Sequence, residues 1–271
     1  MIYFGINGRL IGVKCPSVQR VDDGERYQFA MTLEGKRKAQ VAPGSRRRVW
    51  DLALGDVTTP AQVSVLRGIA SGAWGNGPFW FVPAEGPDTN VLEPGTASCD
   101  PAVLPSTNEN GGPLRTADRW FGRSVARADT TAGLLHFGGD GLSGTVPVPE
   151  SGPVTAAAYV LGDGAAVDVL WRDGAGDVVS TSRSVVTASG SEVVRSWLTV
   201  TPPVGAVWAS VRAADAVRGA GPSLTWGNRL LPFSDGRGAS KVVVDQVSSG
   251  LVYTQPGRTY QNLSFTVTEV G

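Results

Sequence analysis

The chain has 271 residues, enough for two domains with a core each, and 41% of them are hydrophobic, as a folded protein requires. Lysine plus arginine (24) balance aspartate plus glutamate (24), so the molecule as a whole has no electrostatic pull toward nucleic acid and any basic contact must be local. No apolar run approaches the roughly 20 residues of a membrane helix, and MIYFGINGRL lacks the basic-then-apolar layout of an export signal, so a soluble product is expected.

Two cysteines, Cys15 and Cys99, are too few for a disulfide framework or a cysteine zinc site, and both are expected as thiols, with a bridge between them left open. Thirty-six glycines and eighteen prolines imply many turns between short strands.

In chain order, residues 2–13 predict a hairpin, with Asn7-Gly8 as the turn between IYFGI and RLIGV. Residues 27–33 alternate large apolar with smaller or polar side chains, as a half-buried strand does, and 49–54 continue the pattern. A helix is predicted over 59–71, with Thr59 as cap, Pro60 at the first helical position, and Val63, Leu66, Ile69 and Ala70 on one face until Gly72. Phe79-Trp80-Phe81-Val82 reads as a strand.

The Pro-, Gly- and Asn-rich stretch 90–113 reads as a linker or a covering loop. Alternating segments then recur at 134–137, 155–161, 167–171, 178–183, 197–201, 207–212 and 224–226, separated by Gly-Asp turns, which indicates a sandwich or jelly roll. Residues 241–245 and 260–270 resemble the opening segments and read as strands returning to the first domain.

The chemistry-bearing residues are few. His136, the single histidine, lies in Leu134-Leu135-His136-Phe137, where a strand histidine with a local hydrogen bond explains it better than a triad or metal site. Asp140, Asp163, Asp168, Asp173 and Asp177 offer carboxylate pairs or calcium ligands, against which stands their placement in turns or alternating on strands. GGDGLSG at 138–144 lacks the Lys-Ser/Thr ending of a phosphate loop.

Among Trp120, Phe121, Trp171, Trp197, Trp208 and Trp226, most are expected in the core. Trp171 shares strand parity with Val167 and Val169 and points inward, whereas Trp208 and Arg212 alternate against Ala209 and Val211 and form the expected exposed, glycan-stacking pair. Lys36, Arg37, Lys38, Arg46, Arg47 and Arg48 flank one turn without interleaved aromatics, which suits a subunit or lumen contact more than specific nucleic-acid binding.

The run RRRVWDLALGDVTTPAQVSVLRGIASGAWGNGPFWFVPAEGPDTNVLEP resembles the opening domain of siphophage minor tail and distal-tail-type proteins, and QNLSFTVTEVG resembles their terminal strand. The stretch from VPVPESGPVTAAAYVLGDG to TPPVGAVWASVRA resembles a carbohydrate-binding-module-type jelly roll.

These resemblances imply a mainly β chain: a split β-sandwich assembly domain with one flanking helix (1–94 and 228–271), a linker (95–115), and an inserted jelly-roll sandwich (116–227). They imply a non-enzymatic virion tail protein, assembled in the host cytoplasm, with no cofactor or metal. It would form a ring of its own copies joining the tail tube to baseplate hub proteins. The jelly roll would touch host cell-wall polysaccharide, with no membrane and no specific nucleic-acid partner. The alternatives are a glycan-binding accessory module and a cell-wall glycosidase.

Overall fold

The computed structural model describes the chain except residues 7–8, 14–17, 23–26, 32–36, 42–46, 59, 76, 100–113, 121–122, 129–132, 138–143, 235, 237, 239, 256–257 and 271. At 6, 9, 18, 27–31, 37–41, 56–58, 114–120, 123–128, 240, 255 and 258–259 it describes the backbone alone.

The first half of the chain forms β1 (Ile2–Ile6), β2 (Arg9–Val13), β3 (Val18–Asp22), β4 (Tyr27–Met31), β5 (Arg37–Val41), β6 (Val49–Thr58), helix α1 (Pro60–Ala70), β7 (Phe79–Val82), helix α2 (Pro94–Ala97), β8 (Leu114–Trp120) and β9 (Arg123–Ala128). There follow β10 (Gly133–His136), β11 (Val146–Pro147), β12 (Val154–Leu161), β13 (Ala166–Arg172), β14 (Val178–Arg183) and β15 (Val194–Val200). The chain then closes with β16 (Trp208–Ala216), β17 (Arg218–Trp226), β18 (Ser240–Gln255) and β19 (Arg258–Glu269).

The fold is mainly β, and it divides into two compact units. One contains Met1–Ile2, Val13–Phe79 and Ser240–Gly271, the other Tyr3–Gly12 and Trp80–Ala239.

In the first unit β18, β19, β6 and β3 lie side by side, each pair antiparallel. Strand alternation puts Trp50, Leu52 and Leu54 of β6 and Leu263, Phe265 and Val267 of β19 on one buried face. Helix α1 lies against β18 and β19 and buries Val63, Leu66 and Ile69, each such side chain contributing about 1.5–3 kcal/mol.

Ala70, expected on that face, is exposed, because it falls where the helix ends: Ala73 N–H reaches back to the Gly68 carbonyl at 2.9 Å and Gly72 takes φ +77°, a glycine-terminated C-cap. The expected cap Thr59 and the Asn7-Gly8 turn lie outside the described residues.

Distant ends of the sequence close this unit. Arg48 donates from Nε and Nη2 to the two Glu269 carboxylate oxygens at 3.2 and 3.1 Å, and its guanidinium lies 5.0 Å from the Trp50 ring centroid.

The second unit is a sandwich. One sheet has the order β10-β16-β13-β14, with β11 also on β16; the other has β15-β12-β17-β9-β8. Between them Leu135, Phe137, Val154, Ala156, Val160, Val167, Val169, Trp171, Ala209, Val211 and Leu224 make one buried cluster. Trp171 points inward, as its parity with Val167 and Val169 predicts, and its indole N–H finds Ser182 Oγ at 2.9 Å, as a buried indole must.

Part of the stretch read as a linker belongs to this core. Val91, Leu92, Ala97 and Cys99 are fully buried. Asn90 explains why a polar, Pro- and Gly-rich segment can be so: its amide donates to the Pro222 and Ser234 carbonyls (3.2 and 3.1 Å) and its oxygen accepts from the Leu92 and Leu224 N–H groups (3.2 and 3.0 Å). A buried amide with that many partners is stabilising.

Candidate functional site

The expected pair Trp208 and Arg212 lies on the outer face of the β10-β16-β13-β14 sheet. Because Ala209, Val211 and Ala213 point into the core, Trp208, Ser210 and Arg212 point away from it. The register continues this polar row across the sheet: His136 stands opposite Arg212, Arg212 opposite Asp168, and Asp168 opposite Arg183.

At its centre Asp168 is 1% exposed and holds two arginines. Arg183 Nε donates to Oδ1 at 2.8 Å, and Arg212 Nη2 to Oδ2 at 3.1 Å. Arg183 also pairs with Asp215 at 2.8 Å. The hydrogen bond to Asp168 raises the Arg183 guanidinium above its ordinary pKa. A buried carboxylate is tolerated because both oxygens have donors.

Neither member of the expected pair stands free in solvent. Arg212 has a side chain only 13% exposed and committed to Asp168. Trp208 is half-buried, its ring 6.0 Å from that of Trp80, and Gly5 lies close enough that an added Cβ would sit 3.4 Å from the Trp208 ring. Parity correctly separated both side chains from the core, but it could not show that the β1 and β7 strands cover part of the indole.

The carboxylates weighed for glycoside chemistry are spread apart. Asp173 accepts three backbone N–H groups of its own turn, from Ala175, Gly176 and Asp177, at 2.9–3.0 Å. Asp163 and Asp177 are exposed turn residues, and Asp140 lies outside the described residues. Among the described residues no group of three or more His, Cys, Asp or Glu could hold a metal.

Of the basic cluster, Arg48 is 7% exposed and is spent on Glu269; it is thereby a closing clasp and is corrected out of the expected subunit or lumen contact. Arg47 is exposed. Arg37 and Lys38 lie on β5, in register with Met31 and Ala30, while Lys36 and Arg46 fall outside the described residues.

The opposite outer face, that of β15 and β12, carries an aromatic to which the sequence analysis assigned no side, Trp197. Trp197 is 38% exposed and stands in register with Ala157, a residue too small to cover it. Arg195 lies 5.8 Å over the Tyr159 ring on one side, and Thr155 and Thr199 hydroxyls meet at 2.8 Å on the other. The signal was present: Val194, Leu198 and Val200 share one parity, and Arg195, Trp197 and Thr199 the other.

No protein-family model and no curated protein sequence matches this chain. Distant similarity exists to solved structures. The CBM22-1 and GH10 modules of a Clostridium thermocellum xylanase, complexed with xylohexaose, are 11% identical over 49% of this chain and 29% of that one, with TM-score 0.31. This chain thus spans less than a third of that protein's length.

A carbohydrate-binding module of Cellvibrio mixtus lichenase 5A, complexed with cellotriose, is 12% identical over 62% of this chain and 95% of that one (TM-score 0.26). The VP2 subviral particle protein of infectious bursal disease virus is 10% identical over 98% and 75% (TM-score 0.26).

Proposed function

We propose that this protein is a structural component of a bacteriophage tail tip, self-assembling as a ring that joins tail tube to baseplate and displaying its sandwich unit toward host-surface glycan. One observation carries the reading: β6, from the first part of the chain, pairs with β19, from its end, and the Arg48–Glu269 clasp ties them. The intervening sandwich has a buried core of its own. A unit closed by segments that precede and follow the sandwich can present it without losing its own packing.

The reading is non-enzymatic. Asp168, the most buried of the described candidate acids, has both carboxylate oxygens taken up by guanidinium groups, which leaves neither open to a substrate.

Light scattering and negative-stain imaging of the purified chain test the proposal. Closed rings are the expected result, and a monomer at every concentration overturns it.

The second reading, a glycan-binding accessory module, is favoured by Trp197, an exposed indole with Arg195 and the exposed Thr199 on the same face of β15, a combination able to stack on and hydrogen-bond a pyranose. Retention on host cell-wall polysaccharide separates the two faces. Loss with Trp197→Ala and retention with Trp208→Ala and Arg212→Ala assigns binding to the β15 face; the reverse restores the Trp208 and Arg212 pair.

A further inference from the structure

The β18–β19 hairpin of the first unit outruns its neighbour. The β6 register ends at Thr58 opposite Gln261, while β18 runs on to Gln255 and β19 begins at Arg258. Two-stranded hairpins are marginal in water on their own, yet this one exposes Leu251 by 67%, Tyr253 by 44% and Val252 by 42%. The segment 248–255, SSGLVYTQ, has no charged residue.

The two faces of this hairpin differ. Ser249 accepts a hydrogen bond from Arg67 of α1, so it lies on the helix side, and Leu251, two residues on, shares that side. The register runs without a slip from Ser248 to Leu251. On the other side Ser248, Ser264 and Ala53 form one cross-strand row, with the two serine hydroxyls 2.7 Å apart. Small side chains there, Ala53, Gly55, Ser248, Gly250 and Ser264, leave an open hollow of about 390 Å³ with no charged residue in its lining.

We infer that Leu251 and its hairpin dock into this hollow on a second copy of the chain. The inference rests on the self-assembly reading above and names its contact. An apolar projection on one face and an uncharged hollow on the opposite face of the same rigid strand pair cannot meet within one copy. Two copies meet front to back, which leaves a free projection at one end and a free hollow at the other. Such a heterologous contact repeats until a ring closes. The lack of charge in residues 248–255 and in the lining of the hollow fits a contact driven by apolar burial and by covering the hairpin.

Light scattering on the full chain and two variants tests it. Leu251→Asp removes the projection, and Ala53→Trp fills the hollow. Each variant alone is expected to run at the monomer mass of 28.2 kDa with a melting temperature within a degree or two of the parent. Mixed in equal amounts they should give a one-to-one pair and nothing larger, because Ala53→Trp keeps an intact projection and Leu251→Asp an intact hollow.

If the parent assembles and Leu251→Asp assembles equally, the contact is elsewhere and the inference fails while self-assembly stands. If the parent is monomeric throughout, the self-assembly reading falls with it. A mixture that stays monomeric overturns the front-to-back pairing.

Discussion

Two faces of this chain, one in each unit, handle their surfaces in opposite ways. On the outer face of β13, β14 and β16 the charges are spent on each other, Asp168 with Arg183 and Arg212, and Arg183 with Asp215. On the β18–β19 hairpin apolar side chains are left in water: Leu251, Val252 and Tyr253 are all exposed. A surface whose polar groups are satisfied internally has little to gain from a partner, while one that exposes neighbouring apolar residues gains by being covered. The contrast is one of faces and not of whole units, because the sandwich also exposes Val178, Val179 and Trp197.

The largest effect that could break this contrast is a deletion. Removing residues 241–271 takes away β18 and β19, and with them the partner of β6 and the surface under α1. The first unit should lose its cooperative transition while near-ultraviolet circular dichroism of the sandwich tryptophans persists. An unchanged melting profile would show that the chain ends are not needed to close that unit.

The next contrast lies inside the sandwich. Trp171→Ala empties a fully buried site and should cost about 3–5 kcal/mol in denaturant unfolding. Trp197→Ala, at a site 38% exposed, should cost roughly 1 kcal/mol or less. Equal costs would mean that the two sheet faces are not inner and outer as described.

Asp168→Asn tests the claim that the charge network is self-contained. It removes the counter-charge of two arginines, of which Arg212 is nearly buried and Arg183 about half exposed. About 3 kcal/mol is expected, at the low end for breaking a buried pair because Arg183 can turn to water. A stability within 0.5 kcal/mol of the parent, the range of an ordinary surface change, would show that these charges are surface decoration and free to serve a ligand.

Much of the architecture follows from the sequence by itself. Alternation in 167–171 sets Trp171 inward, Pro60 and Gly72 bound a helix whose Val63, Leu66 and Ile69 are buried, and turn-rich composition gives a mainly β chain. These are local facts, governed by strand and helix periods and by which residues tolerate a given backbone angle.

Other elements were hidden because their signal is not local. β17 runs from Arg218 to Trp226 through Gly219, Gly221 and Pro222, residues that read as turns until neighbouring strands fix them. Asn90 looks like linker until the Pro222, Ser234 and Leu224 backbone groups arrive from over 130 residues away.

For the candidate site, strand parity determined that Trp208 and Arg212 leave the core and contained the same message for Trp197. Tertiary structure decided the rest: Trp80 and Gly5 shade Trp208, Asp168 occupies Arg212, Glu269 occupies Arg48, and Trp197 is left in solvent beside Ala157. A period along one strand says which side a residue faces. What stands opposite it comes from chain segments that only folding brings there, and that neighbour decides whether a side chain is free to bind.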